Sequence, residues 1–149
     1  MKNTPEEFRV FLDTSVLLSG LNSPTGASGL IISLFKVEKI KIIISPEVIE
    51  EAERVIKNKF PLLGVSFLDF LSNKPLITKK LVPKEIKRIS HIIFSEDAPI
   101  FAGALKARAN FLLTLDKDFQ KIAKTVIMNS GLNRSHSTEA ELGAGFRLF

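Results

Sequence analysis

The chain contains no cysteine. Disulfides and thiolate-bound metal centres are therefore excluded, and a reducing cytosol is the natural setting. Only two histidines are present, His91 and His136, too few for a histidine-rich metal site. No apolar run approaches the length that crosses a bilayer, so no membrane association is expected. The opening stretch MKNTPEEF is polar and acidic, where a secretory signal would be basic and then apolar. A cytoplasmic location is expected on both grounds. No internal repeat or linker splits the sequence.

What is present is an ordinary globular balance. Of 149 residues, 45% are hydrophobic and 25% charged, enough to bury a core without covalent staples. The net charge is +5. A lysine-rich solvated surface explains that charge, and so does attraction to a polyanion such as nucleic acid. The second explanation gains weight if carboxylates gather in one place, because the remaining surface is then more basic still.

The pattern along the chain alternates strands with helices. FRVFLD, residues 8–13, is an apolar strand running into an aspartate. SPTGASGL, residues 23–30, carries loop residues. GLIISLFKVEKI predicts a helix with Leu30, Ile31, Leu34 and Phe35 on one face. KIIIS, residues 41–45, is a second, β-branched strand. Ser45 and Pro46 then make a strong helix start, serine as cap and proline in the first turn. In SPEVIEEAERVIKNKF the core face is Val48, Ala52, Val55 and Ile56. LLGVSFLDFLS predicts a further short helix, LITKKLV a strand or extended connector, and PKEIKRISHIIF an amphipathic helix. In SEDAPIFAGALKARA, Pro99 is tolerable only in the first turn, which sets the helix start just before it. FLLTLD, residues 111–116, repeats the opening pattern of an apolar strand meeting an aspartate. DKDFQKIAK predicts a short helix and TVIM a last strand. The fold class is therefore α/β, a three-layer α/β/α arrangement with a mostly parallel central sheet. The domain is expected over residues 1–130. Residues 131–149 form an irregular tail with no clear core face, disordered or artificially appended.

In open α/β sheets, ligands bind beyond the carboxyl ends of the strands. Asp13 and Asp116 both stand where an apolar strand ends. Asp97 lies in a first helical turn, and Glu51 lies one turn into the helix after the second strand. Four carboxylates from four segments can thus converge. Clustered carboxylates repel and raise one another's pKa unless protons or cations neutralise them. Oxygen-only ligands suit hard ions such as Mg²⁺ or Mn²⁺. Two such ions, roughly 3.5–4 Å apart, can activate water and stabilise the leaving oxygen in phosphodiester cleavage. Thr14, Ser15 and Thr114 place hydroxyls where they can orient carboxylates, water or phosphate. Asp118 is a peripheral ligand or a cap for the FQKIAK helix, with equal weight.

Each residue also has a plainer explanation. Asp13 can close an Asx-type turn with Thr14 and Ser15. Glu51 can face solvent, Asp97 can complement a helix dipole, and Asp116 can cap a helix. Singly, such roles are the commoner ones. Two strand-terminal aspartates in similar FLD and TLD contexts are harder to explain that way. His91 reads as packed or surface-exposed, and the phenylalanines read as core.

The ordered set of motifs resembles the PIN-domain nucleases. VFLDTSVLLSGL is similar to their opening strand and first aspartate. SPEVIEEAERVIKNKF is similar to the helix carrying their glutamate, and its register selects Glu51 over Glu50. EDAPIFAGALKARANFLLTLDKDF is similar to their third and fourth acidic elements. The resemblance covers roughly residues 8–128. It implies Asp13, Glu51, Asp97 and Asp116 as catalytic metal-site carboxylates, with Ser15, Thr114 and Asp118 in support. It further implies a Mg²⁺- or Mn²⁺-dependent endonuclease acting on single-stranded or structured RNA. Many small prokaryotic members are toxins of toxin–antitoxin pairs and form homodimers, so RNA, a cognate antitoxin and a second copy are the expected partners. The usual closing segment of the family is replaced here by the tail. Two other functions are compatible with the residues. One is a phosphatase-type hydrolase with Asp13 as nucleophile, although the second acid expected two positions on is Ser15. The other is a non-catalytic RNA-binding protein of the same fold.

Overall fold

In the computed structural model, residues 7–90, 98–117 and 147–148 are described. Five strands run Arg9–Leu12 (β1), Lys41–Ile44 (β2), Leu76–Ile77 (β3), Phe111–Leu113 (β4) and Arg147–Leu148 (β5). They form one sheet of order β3-β2-β1-β4-β5, and every pairing is parallel. Successive strand residues point to opposite faces, yet Phe11 and Leu12, and Ile42, Ile43 and Ile44, are all buried. Both faces of the sheet are therefore covered, which is the three-layer α/β/α arrangement that the uninterrupted apolar runs predict.

The covering helices are Thr14–Asn22 (α1), Ala27–Lys36 (α2), Pro46–Lys59 (α3), Gly64–Ser72 (α4), Pro83–Ser90 (α5) and Ala98–Lys106 (α6). A 3₁₀ turn, Pro61–Leu63, joins α3 to α4. The start of α3 is as its sequence dictates: Ser45 caps it by accepting from the Val48 N–H at 3.2 Å, and Pro46 occupies the first turn. The buried row of α3 is Val48, Ala52 and Ile56, with Val55 half-buried at its flank. On α2 the buried row differs from expectation. It runs through Gly29, Ile32 and Phe35, with Ile31 and Leu34 beside it and Leu30 exposed. Two close approaches accompany this face: a Cβ on Gly29 would sit 2.3 Å from the Pro24 carbonyl oxygen in the loop before α2, and one on Gly20 of α1 would sit 2.6 Å from Ile32 Cδ1. Glycine at position 20 lets α1 and α2 meet at that depth, and glycine at position 29 lets α2 rest on the preceding loop.

The strand order carries the functional consequence. From β1 the chain builds outward through β2 to β3, then returns to the other side of β1 with β4. The order thus reverses between β1 and β4, and a crevice opens at the carboxyl ends of a parallel sheet at such a reversal. Arg147 and Leu148, from the expected tail, pair with β4 at its outer edge. The rest of the tail, the TVIM strand and the DKDFQKIAK stretch from Asp118 onward lie outside the described residues. Among the described residues no helix is long and apolar enough to cross a membrane.

Candidate functional site

Asp13 directly follows β1. Its backbone N–H continues the ladder by donating to the Leu113 carbonyl of β4 at 3.0 Å. Its backbone is extended, and its side chain caps α1 by accepting the Thr14 N–H at 2.7 Å. The turn-closing role and the strand-end role are thus one geometry: the aspartate ends the strand because it starts the helix. The helix itself was not evident from DTSVLLSGL, although Val16, Leu17, Gly20 and Leu21 form a buried row at helical spacing.

Three hydroxyls surround this carboxylate. Thr114 Oγ1 donates to Asp13 Oδ2 at 2.7 Å, and Ser15 Oγ donates to the same oxygen at 3.2 Å. Thr14 Oγ1 turns the other way and donates to Glu51 Oε2 at 2.9 Å. Two backbone donors lock the β4 side: the Leu115 N–H donates to Ser15 Oγ at 3.1 Å, and the Asp116 N–H donates to Thr114 Oγ1 at 3.1 Å. The hydroxyls therefore stitch β1, α1 and the residues after β4 into one unit, with α3 attached through Glu51.

The electrostatics follow from depth. Asp13 is only 6% exposed. Burial pushes its carboxyl above the ordinary value, the donors Thr114, Thr14 and Ser15 pull it partly back, and the charge of Glu51 pushes it up again. No cation among the described residues lies against it; its partners there are neutral hydroxyls and a backbone N–H. A buried carboxylate held by neutral donors beside a second carboxylate is the environment a cation relieves.

The expected site residues divide into two groups. Asp13, Thr14, Ser15, Glu51 and Thr114 are brought together at the switch between β1 and β4. Asp116 is tied to the same unit through its backbone, and the residue is exposed. Glu50 is exposed where Glu51 is half-buried against Thr14, so the side-chain contact agrees with the helical register. Asp97 and Asp118 lie outside the described residues, as do His91 and His136. Ala98, the next residue after Asp97, is buried at the start of α6. Sequence reasoning did not anticipate the second role of Ser15 in holding the Leu115 N–H, because a backbone donor has no side-chain signature.

The donor chemistry fits a hard divalent ion, being oxygen throughout and without thiolate or imidazole. Among the described residues, no three His, Asp or Glu side chains gather closely enough to hold an ion. Asp13 and Glu51 are the pair whose charges interact, and a full ligand set requires a further group.

The comparisons with known proteins bear on the fold and the family. No curated protein matches the chain. Among solved structures it is similar to a chain of VapBC2 from Rickettsia felis bound to a DNA fragment from their promoter, with a TM-score of 0.58 and 18% identity over 77% of this chain and 93% of that one. At that identity the likeness concerns the fold. The family model of the PIN domain matches residues 9–118, from the first residue of β1 to Asp118. That span covers most of the sequence and includes every carboxylate named above, and the chain belongs to the PIN domain family.

Proposed function

We propose that this protein is a divalent-metal-dependent endonuclease that hydrolyses phosphodiester bonds in RNA, with Asp13, Glu51, Asp97 and Asp116 as its site carboxylates and Asp118 as a peripheral ligand. The observation that carries the reading is the Asp13–Glu51 pair, joined through Thr14 at the point where the strand order reverses. PIN domains are nucleases that generally use a divalent metal, which is consistent with an oxygen-only donor set.

Asp13 and Glu51 would hold Mg²⁺ or Mn²⁺. A bound cation of this kind neutralises the carboxylates, lowers the pKa of water and offsets charge on the phosphate. The chain's own part is preorganisation. Ser15 and Thr114 fix the Asp13 carboxylate in one orientation before substrate arrives, so no reorganisation is needed when charge develops. The basic balance of the sequence, +5 overall, favours a polyanionic substrate. Hydrolysis by water leaves no covalent intermediate on the enzyme. The fold neighbour is crystallised as VapBC2 on promoter DNA, which favours reading this chain as the toxin of a toxin–antitoxin pair with a cognate antitoxin, in the cytoplasm.

The test is cleavage of a mixed panel of RNA and DNA oligonucleotides with Mg²⁺, with Mn²⁺ and with EDTA. RNA cleavage that EDTA abolishes, and that Asp13→Asn and Asp97→Asn abolish in folded protein, is the expected result. Unchanged cleavage in both variants would sink the proposal. RNA binding without cleavage and indifferent to metal would instead mark a binding protein of the same fold.

A further inference from the structure

Thr14 contacts both interacting carboxylates at once. Its N–H donates to Asp13 Oδ1 at 2.7 Å, and its Oγ1–H donates to Glu51 Oε2 at 2.9 Å. A threonine inside a helix commonly turns its hydroxyl back onto the carbonyl of the preceding turn. Thr14 is the first residue of α1, where no such helical carbonyl precedes it, so its single hydroxyl proton goes to Glu51 on α3. The side chain is buried, and its β-branch restricts the direction of the hydroxyl. The donor is therefore aimed and not merely available.

The charge balance makes this choice of residue meaningful. Asp13 and Glu51 are like charges bridged by one residue, and they repel. A lysine between the two would relieve that repulsion and cancel the charge that attracts a cation. An apolar residue would leave a half-buried carboxylate oxygen without this donor. A neutral hydroxyl tethers Glu51 at a set distance from Asp13 and keeps both negative charges. We propose that Thr14 is the positioning residue for Glu51, fixing its carboxylate relative to Asp13 and thereby setting the affinity of the site for a divalent cation. This rests on the metal-site reading above, and it assigns to Thr14 a role separate from those of Ser15 and Thr114, which act on Asp13.

The experiment is Mn²⁺ binding by calorimetry to the full chain, without nucleic acid, for wild type, Thr14→Val, Thr14→Ser, Glu51→Gln and the Thr14→Val/Glu51→Gln double variant. Urea unfolding in EDTA runs alongside as a check on folding. Removing a partner of a metal ligand typically costs 10- to 100-fold in affinity. Thr14→Val, which keeps the shape and loses the donor, is expected to weaken Mn²⁺ by about that factor. Thr14→Ser restores the donor and is expected to recover it. In the Glu51→Gln background Thr14→Val should produce no further loss, because Thr14 acts through Glu51. Wild-type affinity in Thr14→Val, failure of Thr14→Ser to recover, or an additive loss in the double variant would each overturn the assignment while leaving the metal site standing. No Mn²⁺ binding by wild type would remove the metal-site reading, and the assignment with it.

Discussion

Thr114 and Asp13 lie 101 positions apart in sequence, and the hydroxyl of the first donates to Oδ2 of the second at 2.7 Å in the interior. The bond crosses from the end of β4 to the end of β1, the two strands between which the sheet order reverses. The same hydroxyl oxygen accepts the Asp116 N–H. One buried side chain therefore orients an acidic group on one strand and the backbone of an acidic residue beyond the other.

Replacing Thr114 by valine removes the O–H donor to Asp13 and the acceptor for the Asp116 N–H while keeping the volume. An unsatisfied buried polar partner costs about 1–3 kcal/mol. Urea unfolding of Thr114→Val in EDTA is expected to show a loss in that range, with Thr114→Ser close to wild type. A Thr114→Val protein as stable as wild type would mean the bond contributes nothing.

Burial raises the Asp13 carboxyl above its ordinary value near 3.8, and this has a defined pH consequence. Between the ordinary value and the raised one, the folded protein holds more protons than the unfolded chain. Stability owed to this group is therefore greatest at low pH and falls as pH rises through that window. Asp13→Asn removes the effect. In EDTA the thermal midpoint of Asp13→Asn should match wild type at low pH and exceed it increasingly as pH rises through the window. Saturating Mn²⁺ should raise the wild-type midpoint and leave that of the variant unmoved. A pH-independent difference between the two proteins would contradict the burial argument.

Glu50 and Glu51 are adjacent and chemically identical, and only Glu51 reaches Thr14. Glu51→Gln is expected to reduce metal-dependent RNA cleavage by more than about a hundredfold, beyond the usual cost of losing a ligand's partner. Glu50→Gln, on the exposed side of α3, should cleave like wild type. Equal losses in the two variants would place the glutamate requirement elsewhere than in the contact with Thr14.

Gly29 allows α2 to rest on the Pro24 carbonyl, where an added Cβ would stand 2.3 Å from the oxygen. Since the obstacle is backbone, it cannot rotate away. Gly29→Ala is expected to cost about 1–3 kcal/mol in urea unfolding, the usual range for overpacking. Gly64, whose Cβ would meet nothing within 4 Å, serves as the control. A Gly29→Ala protein of wild-type stability would show that the contact between α2 and the preceding loop relaxes freely.

Much of this architecture was legible in one dimension because its signals are local. The apolar runs at β1, β2 and β4, the Ser45–Pro46 start of α3 and the placement of Pro99 in a first helical turn all follow from residues within a few positions of one another. Matching the register of α3 to the PIN-domain pattern selects Glu51 over Glu50. The α2 face was misjudged at Leu30 because its orientation depends on a contact between Gly29 and the preceding loop, which no periodicity within the helix encodes. Helix α1 escaped notice because the aspartate, threonine and serine that open it also suit a turn.

Local patterning therefore determined which segments become strands and helices, and set one aspartate directly after β1 and another three residues beyond β4, where Thr114 takes the strand-end position. It left open whether those aspartates were caps or parts of a site, since a cap is satisfied within one turn of chain. Tertiary structure adds to the cap of Asp13 a contact that no single turn of chain can supply. The aspartate's cap bond to Thr14 spans one residue, and its bond to Thr114 spans 101. Only the parallel closure of β4 against β1 brings that second donor within reach, and it is the burial produced by the same closure that raises the carboxyl's pKa.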